Sequence, residues 1–467
     1  MTGIVAYGTY IPYWRLQRSA ILMTLGSGGG RGTRSVASYD EDATSMAVEA
    51  ARRAVASAPA GAGVGSVFFS TVNPAYFDKT NANAIHAALG LPVTSGAYDV
   101  LGSVRSAVAA CTLASHGADL AVLSDIRVGL PSGSEESNGG DGAAALLFGD
   151  GAGVIAETIG GATATAEFLD RWRAPGAQVS RQWEERFGEF VYLPLVESAV
   201  ARAYSSAGLS GDKVDHLIAV GLHGRSVKGV AKIAGVRPDA VADDLTAQIG
   251  NTGVAHAGIA LADVLDRAEP GAVIALVQLA DGVDVWLLRV TSAMTEYREA
   301  RRRSTVREQI AAGRDDLLYA TYLTWRGFLD REPPRRPDPE RPAAPPAYRS
   351  ESWKYGFVGS RCEKCGTRHL PPARVCVNCH AVDEMQPERL ADVPATIATY
   401  TIDRLAFSLS PPTIVVVIDF DGGGRFQCEM TDADPGKVAI GQRVQMTFRR
   451  LFTADGVANY FWKARPA

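Results

Sequence analysis

The stretch C-E-K-C-G-T-R-H-L-P-P-A-R-V-C-V-N-C, residues 362–379, holds four of the six cysteines of the chain. Cys362 and Cys365 form one C-x-x-C pair, and ten residues separate it from a second pair, Cys376 and Cys379. Each pair puts two thiolates at one tight turn, so the two pairs can supply the four ligands of a tetrahedral Zn²⁺. Two disulfides or four free thiols are the alternatives. Because all four ligands come from protein, no position stays open for water, and we expect the zinc to be structural.

After the cysteines the sequence predicts β-structure. Residues 395–402 and 413–420 alternate apolar and polar side chains, and glycine-rich turns such as residues 421–424 follow such runs. This pattern is typical of a small antiparallel barrel. The cysteine segment at residues 350–387 and the barrel at residues 388–467 together resemble the DUF35 family. That resemblance implies a rubredoxin-like zinc ribbon followed by an OB-fold.

The segment before the cysteines, residues 296–349, is predicted to be a linker. Residues 296–313 are charged and helical in pattern, and residues 331–346 contain seven prolines, which indicates an extended arm. We expect the linker to dock the zinc module onto the preceding domain. Four apolar residues between these two parts share one predicted helix face: Leu318, Tyr322, Trp325 and Leu329.

The composition argues against nucleic-acid and membrane partners. The 467 residues carry a net charge of −4, and a basic run stands at residues 301–303. Zinc ribbons and OB-folds often bind nucleic acid, but the barrel strands lack a basic stripe with interleaved aromatic residues. No apolar run reaches the length of a membrane span, and the N-terminus lacks a signal-peptide pattern. Four reduced cysteines on a metal predict a cytoplasmic protein.

Residues 1–295 are rich in Ala, Gly and Val, and short β-branched runs alternate there with Ala-rich helical patterns. The alternation predicts a layered α/β domain. The predicted strands include residues 67–71, 120–123, 144–148, 216–220 and 272–279. The predicted helices include residues 45–56, 106–117, 194–207 and 255–268.

Three segments of this large domain are specific enough to indicate a protein family. Residues 147–154 (L-F-G-D-G-A-G-V) put a glycine-rich turn between two strands, and residues 250–258 (G-N-T-G-V-A-H-A-G) open an Ala-rich helix. Residues 170–176 (D-R-W-R-A-P-G) lie between the two halves. Together they resemble the thiolase superfamily, most closely hydroxymethylglutaryl-CoA synthase, with ketoacyl synthase III second. The resemblance covers about residues 1–295.

The resemblance implies an α/β thiolase fold: a duplicated βαβαβαββ core, five layers deep, with halves at residues 1–160 and 161–295. It also implies a homodimer, acyl-CoA or acyl-carrier-protein substrates, and a Cys-His-Asn site. In such a site a thiolate accepts an acyl group, while histidine and asparagine polarise the thioester or stabilise an enolate. Modules of the DUF35 type accompany thiolase-like enzymes, including synthases, acyltransferases and cysteine-free aldolases.

The resemblance carries three site residues onto this chain. His223 ends a predicted strand where the family has its catalytic histidine, and Asn251 matches the family's asparagine. Lys228 follows His223 where the synthase-like pattern has a basic residue near the CoA phosphates. A lone histidine is more often a core residue, but here strand end and motif agree.

The family's nucleophile is missing. The turn that carries the nucleophile in that family corresponds to D-V-L-G-S-V-R-S-A at residues 99–107 of this chain. The position of the cysteine falls on Val104, which cannot be acylated. Ser103 is the adjacent hydroxyl, and Cys111, about two helical turns further on, is expected to be a buried core residue. The family's acidic partner is also replaced, because Asn73 stands at that strand end. An asparagine can orient a carbonyl but cannot transfer a proton.

Two charged pairs allow structural as well as functional interpretations. Glu41 and Asp42 match a recurrent helix start of the synthase-like branch, where capping is the default interpretation. Arg449 and Arg450 could hold CoA phosphates or the large domain, or remain solvated at the surface.

Without a cysteine, three functions stay open for a thiolase-fold acyl-CoA or acyl-carrier enzyme. The first is joining or transferring acyl groups, through Ser103 or by direct attack between two bound substrates. The second is carbon–carbon bond formation or cleavage without a covalent intermediate, as in an aldolase, with His223 as general base. The third is a non-catalytic scaffold for another thiolase, which the retained His223 and Asn251 disfavour.

Overall fold

A computed structural model of the protein describes residues 2–300 and 304–467, so the basic run at residues 301–303 lies outside the described residues. The strands are β1 (Thr2–Tyr10), β2 (Trp14–Gln17), β3 (Thr33–Val36), β4 (Ser66–Thr71), β5 (Gly96–Leu101), β6 (Leu120–Ile126), β7 (Asp141–Asp150), β8 (Ala156–Ala164), β9 (Arg171–Trp172), β10 (Arg181–Gln182), β11 (His216–Gly221), β12 (Val273–Leu279), β13 (Val283–Val290), β14 (Val358–Cys362), β15 (Arg368–His369), β16 (Met385–Arg389), β17 (Ala395–Asp403), β18 (Thr413–Phe420), β19 (Arg425–Met430), β20 (Arg443–Ala454) and β21 (Val457–Pro466).

The helices follow the predicted Ala-rich segments and add several short ones. They are α1 (Arg18–Leu25), α2 (Ala43–Ala56), α3 (Ala82–Leu89), α4 (Ser106–Ala114), α5 (Ser134–Asn138), α6 (Glu185–Ala207), α7 (Gly224–Ala234), α8 (Thr246–Ile249), α9 (His256–Leu265), α10 (Ala293–Glu299), α11 (Val306–Ala311), α12 (Tyr319–Trp325), α13 (Ala344–Arg349) and α14 (Glu351–Lys354). Within the described ranges, no helix is long and apolar enough to cross a membrane.

The large domain is built on a sheet with the strand order β11-β12-β13-β8-β1-β7-β6-β4-β5, and its two halves repeat one pattern. In the first half β4 is parallel to β5 and β6, and β7 is antiparallel to β6 and β1. In the second half β11 is parallel to β12, and β13 is antiparallel to β12 and β8. The first strands of the halves, β1 and β8, pair at the centre. This is the expected duplicated fold.

The repeat is incomplete at one edge. The counterpart of β5 in the second half is reduced to a single parallel bridge between Leu217 of β11 and Val241. Val241 also lies in a segment where the N–H of Ala242 donates to the Leu217 carbonyl (2.9 Å). The second half therefore has four strands where the resemblance implies five.

The helices complete the layers. α2 and α3 pack on the first half of the sheet, and α6 and α7 pack on the second half. α9 contacts strands of both halves and is buried along its whole length. Together with α4 it forms the middle layer, and Cys111 of α4 lies there among aliphatic side chains. The expectation that Cys111 is a core residue is confirmed.

The zinc ribbon and the barrel follow as predicted. β14 pairs with β15 and β16 in a three-stranded sheet around the cysteines. β17-β18-β19-β21-β20 close into a barrel. Five strands closed in this way are an OB-type architecture.

The linker differs from its prediction. Residues 296–313 are not one helix, because α10 ends at Glu299 and a new capping box at Thr305 begins α11. The predicted four-residue face is also wrong in part: Leu318 and Leu329 are 71% and 41% exposed. The helix that carries Tyr322 ends at Trp325, before Leu329 is reached. Trp325 does reach the barrel, since its Nε1 donates to the Leu409 carbonyl (3.0 Å).

The barrel forms backbone hydrogen bonds with α2 and with the segment that precedes it. The N–H of Phe448 donates to Glu49 (3.0 Å), and the N–H of Arg450 donates to the carbonyl of Asp40 (2.9 Å). Asp42 caps α2 by accepting from the Ser45 N–H (2.8 Å), as predicted.

Arg449 is fully buried between the domains. Its guanidinium contacts Glu41 and Asp432 and lies 3.9 Å from Asp40, while Lys463 is 3.0 Å from Asp40. The charge of Arg449 is therefore neutralised inside the protein. Of the three interpretations of this arginine, the structure supports the one in which it holds the large domain, and its assignment to CoA phosphates is wrong.

Candidate functional site

Two cavities meet at the carboxyl ends of β5 and β11. Cavity A has a volume of about 530 Å³, and its lining includes the expected site residues His223, Lys228 and Asn251. Cavity B has a volume of about 980 Å³, and its lining includes Asn73 and Ser103. The two cavities share three lining residues: Arg127, Asp170 and Leu222.

His223 is buried at the N-cap of α7. Its Nδ1 accepts a hydrogen bond from the backbone N–H of Ser226 (3.2 Å), which leaves the proton of the neutral ring on Nε2. Nε2 donates to the carbonyl oxygen of Glu185 (2.7 Å). Both ring nitrogens are engaged, so this geometry does not support the expected general-base role. A protonated Nε2 is instead suited to donate to a carbonyl or enolate oxygen.

Asn251 presents a fixed amide to the same cavity. Its Nδ2 donates to the carbonyl of Gly221 (2.8 Å), and its Oδ1 accepts from the N–H of Gly253 (2.9 Å). The second N–H of Nδ2 has no partner among the residues that the structure describes. The preceding Gly250 has a φ of +75°, and a Cβ there would stand 2.2 Å from the Gly139 carbonyl. Glycine is therefore required to bring Asn251 to this wall.

Asp170 stands in the wall between the cavities, and the sequence did not single it out as a site residue. Gly188 of α6 lies between it and the histidine: a Cβ on Gly188 would be 2.7 Å from His223 Nε2 and 2.8 Å from Asp170 Oδ1. Burial raises the pKa of Asp170, and His223 opposes the shift. Within the described ranges its carboxylate has no hydrogen-bond partner. A buried carboxylate of raised pKa in a cleft is a candidate acid–base group.

The nucleophile position lies in the wall of cavity B. Val104 precedes α4 and lines this cavity, as does Ser103. No base of the described chain forms a hydrogen bond with the Ser103 hydroxyl. Cys111 lines neither cavity, and burial raises the pKa of its thiol to about 12. None of the three residues is therefore an activated nucleophile in this geometry.

Asn73 lines cavity B, but its side chain is engaged with the protein. Its Oδ1 accepts from Arg173 (2.6 Å), and its Nδ2 donates to Asp125 (3.2 Å) and to the Ile126 carbonyl. Both amide hydrogens and the oxygen thus have protein partners. The geometry does not support the expectation that Asn73 orients a substrate carbonyl.

The four cysteines of the ribbon converge as the spacing predicts. Their Sγ atoms all lie within 4.8 Å of one another, with Cys362–Cys379 at 3.6 Å and Cys365–Cys376 at 3.5 Å. Four sulfurs about 2.3 Å from a tetrahedral zinc are about 3.8 Å apart, so the donor set fits Zn²⁺. The N–H of Asn378 points at the Cys376 sulfur (3.4 Å). No ribbon residue lines cavity A or B, which fits a structural metal.

A Cys376→Ser variant is expected to lose its zinc and the ordered ribbon, because metal binding and folding are coupled in such sites. Metal analysis and limited proteolysis of the full chain would measure both losses. Cys428→Ser in the barrel is the matched control and should keep its zinc. A zinc-free Cys376→Ser protein that stays protease-resistant and shows only a chemical defect would contradict the structural role.

Comparison with known proteins assigns both parts of the chain. Residues 354–384 match the family described as ChsH2, rubredoxin-like zinc ribbon domain, and residues 388–449 match ChsH2, C-terminal OB-fold domain. A hydroxymethylglutaryl-CoA synthase of Aeropyrum pernix is 31% identical over 344 residues, which cover 70% of this chain and 94% of that protein. The chain belongs to the hydroxymethylglutaryl-CoA synthase family.

Solved structures agree with the family at the level of the fold. MvaS in complex with 3-hydroxy-3-methylglutaryl coenzyme A has a TM-score of 0.58 at 17% identity and covers 83% of this chain and 99% of that one. The ketoacyl synthase III FabH of Pseudomonas aeruginosa has a TM-score of 0.55 at 19% identity and covers 62% and 98%. The predicted thiolase-like fold is confirmed.

Two cationic side chains, Lys228 and Arg18, line cavity A. Lys228 is exposed at the cavity, and Arg18 is largely buried in its wall. Arg18 donates to the carbonyl of Thr246, and burial lowers its pKa. Neither cation has a salt bridge to a carboxylate of the described residues. The sequence did not reveal Arg18, because more than 200 residues separate it from His223, Lys228 and Asn251.

Proposed function

We propose that this protein forms or cleaves a carbon–carbon bond beside the thioester of an acyl-CoA, without a covalent acyl-enzyme. One observation carries the proposal: His223 and Asn251 line one cavity as hydrogen-bond donors, while Val104 stands at the nucleophile position. Membership of a family of acyl-CoA condensing enzymes supports it. Enolate chemistry needs donors and a base, whereas acyl transfer through the enzyme needs a nucleophile.

His223 and Asn251 are proposed to stabilise the thioester enolate. The Nε2–H of His223, now donated to Glu185, and the second N–H of Asn251 would both point at the thioester oxygen. A bound oxygen would take the place of the Glu185 carbonyl. Each such donor contributes about 10²–10³-fold to the rate in comparable sites.

Asp170 is proposed to move the proton. In the cleavage direction it takes the proton of a β-hydroxyl, the Cα–Cβ bond breaks, and a carbonyl compound and an enolate form. Asp170 then returns the proton to Cα. Condensation is the reverse: Asp170 removes the Cα proton, and the alkoxide formed by attack on a carbonyl is protonated by Asp170. One carboxylate thus serves both directions, and the atoms balance without a further reactant.

Lys228 and Arg18 are proposed to bind the phosphates of CoA or of a carrier-protein arm, because they are cations at cavity A without a salt bridge to a carboxylate of the described residues. We further propose a homodimer through the large domain, where β5 is one of the two edge strands of the described sheet. We also propose a cytoplasmic location. The retained donors and the free carboxylate support an enzyme over a scaffold.

Intact-mass spectrometry after incubation with acyl-CoA donors tests the absence of an acyl-enzyme. We expect the mass of the protein to stay unchanged while carbon–carbon products accumulate once an aldehyde or ketone acceptor is added. A stable acyl adduct mapped to Ser103 would instead establish acyl transfer. A Ser103→Ala variant is the control, because it removes the hydroxyl adjacent to the nucleophile position and should keep its turnover under our proposal.

A further inference from the structure

Cavity B is large and mainly apolar. Its volume of about 980 Å³ is at the upper end of the ~300–1,000 Å³ typical of small-molecule pockets. Apolar side chains from six separate segments contribute to its wall. They include Phe77, Val104, Val128, Trp172, Tyr192 and Leu279. Phe77 stands at 82% exposure and marks the opening to solvent.

The arginines at cavity B are already satisfied by protein groups. Arg127 and Arg171 both pair with Glu135, at 2.9 Å and 2.6 Å. Arg173 donates to Asn73 (2.6 Å). Arg127 and Arg171 are therefore neutralised by a carboxylate, and Arg173 is held by two neutral acceptors, the Asn73 amide oxygen and the Val72 carbonyl. The chamber is suited to an uncharged, apolar body.

Cavity B adjoins the donors of cavity A across a shared wall. Asp170 and Leu222 line both cavities, and Asp170 approaches His223 across Gly188. A thioester oxygen held by His223 would place one side of its substrate along cavity A and the other side beside Asp170, next to cavity B. Val104, in place of a nucleophile, adds an apolar group to the entrance of that chamber.

We propose that cavity B binds the acyl portion of the thioester and that this acyl group is bulky and apolar, far larger than an acetyl group. This inference rests on the proposed function, since it assumes a CoA thioester in cavity A. In the cleavage direction the bulky part leaves as a ketone or aldehyde and the small part stays on CoA.

Binding of unreactive ketone analogues separates this inference from the chemistry. The probes are S-acetonyl-CoA, whose ketone mimics a thioester carbonyl, and the homologous ketone with a decyl chain, both titrated calorimetrically into the full-length protein. We expect the decyl ketone to bind at least about 100-fold more tightly, because each buried methylene adds several-fold to affinity. Equal affinities would overturn this inference and leave the proposed function standing. Failure of both probes to bind would count against the proposed function itself.

Two variants test whether the decyl chain of the probe binds in cavity B. Val104→Phe and Val128→Phe each fill part of cavity B from a different segment and should cut the preference for the decyl ketone by at least about 10-fold. Leu113→Phe, on the exposed side of α4, is the matched control and should keep the preference. Thermal unfolding identifies any variant that fails to fold, and the other variant then decides. If both folded variants retain the full preference for the decyl ketone, the decyl chain binds outside cavity B and the inference is wrong.

Discussion

An Asp170→Asn variant is expected to lose about 10²–10⁴-fold in kcat/KM for the carbon–carbon step, because asparagine has nearly the same shape but cannot take a proton. The pH profile should change as well. Burial raises the pKa of Asp170 above the ordinary aspartate value of about 3.9, and only the deprotonated form is a base. The wild-type rate should therefore fall as the pH drops through this raised pKa, and the variant should lack that limb.

Two comparisons between variants show whether the loss of activity is due to Asp170 acting as the base. Glu167→Gln removes an exposed carboxylate three residues away and should leave the profile intact. His223→Gln keeps a side-chain N–H donor, whereas His223→Ala does not. If His223 is a donor, the glutamine variant should retain clearly more activity than the alanine variant. Equal losses for both, together with an unchanged acid limb in Asp170→Asn, would return the base role to His223.

The parts of the site that the sequence revealed are those encoded locally. The zinc ligands follow from two C-x-x-C pairs within 18 residues, and the converging sulfurs agree with that spacing. His223 and Asn251 are found because each follows a recognisable strand or glycine-rich turn. Asp170 was quoted only as part of a family segment. Its role depends on α6, where the missing side chain of Gly188 allows the carboxylate to approach His223.

The sequence also could not predict contacts between residues that are far apart along the chain. Asn73 was expected to face substrate, but Arg173, 100 residues away, engages its oxygen. The predicted helix face that ends at Leu329 failed because the helix stops at Trp325 and Gly327 takes a φ of +73°. Arg449 had three equivalent interpretations in the sequence. Only the fold shows that Glu41, Asp432 and the barrel enclose it, because those acids lie in two different domains.

Replacing Arg449 by leucine is expected to cost about 3–5 kcal/mol in the free energy of unfolding, because the change leaves buried carboxylates without their cation. Asp40, Glu41 and Asp432 all lie in this cluster, and among the described residues Lys463 would be the cation left in salt-bridge contact with them, at Asp40. Urea unfolding of the full chain, with limited proteolysis to report release of the barrel, measures the effect. Leucine has a similar volume but a shorter reach than arginine, so the loss combines the unpaired charges with some lost packing at the position of the guanidinium.

The direction of the pH dependence gives an independent check on this cluster. Burial raises the pKa of Asp40, but Lys463 and Arg449 outweigh it and hold that pKa below its ordinary value. Asp40 therefore stabilises docking above its unfolded pKa of about 4, and this contribution is lost as the pH falls through the depressed folded value. Arg449→Leu should weaken this dependence.

Glu41→Gln added to Arg449→Leu removes one uncompensated charge and should recover part of the stability. Arg425→Leu, which breaks an exposed pair with Asp419 on the same barrel, should change little. A wild-type stability for Arg449→Leu would mean that apolar packing alone holds the barrel on α2.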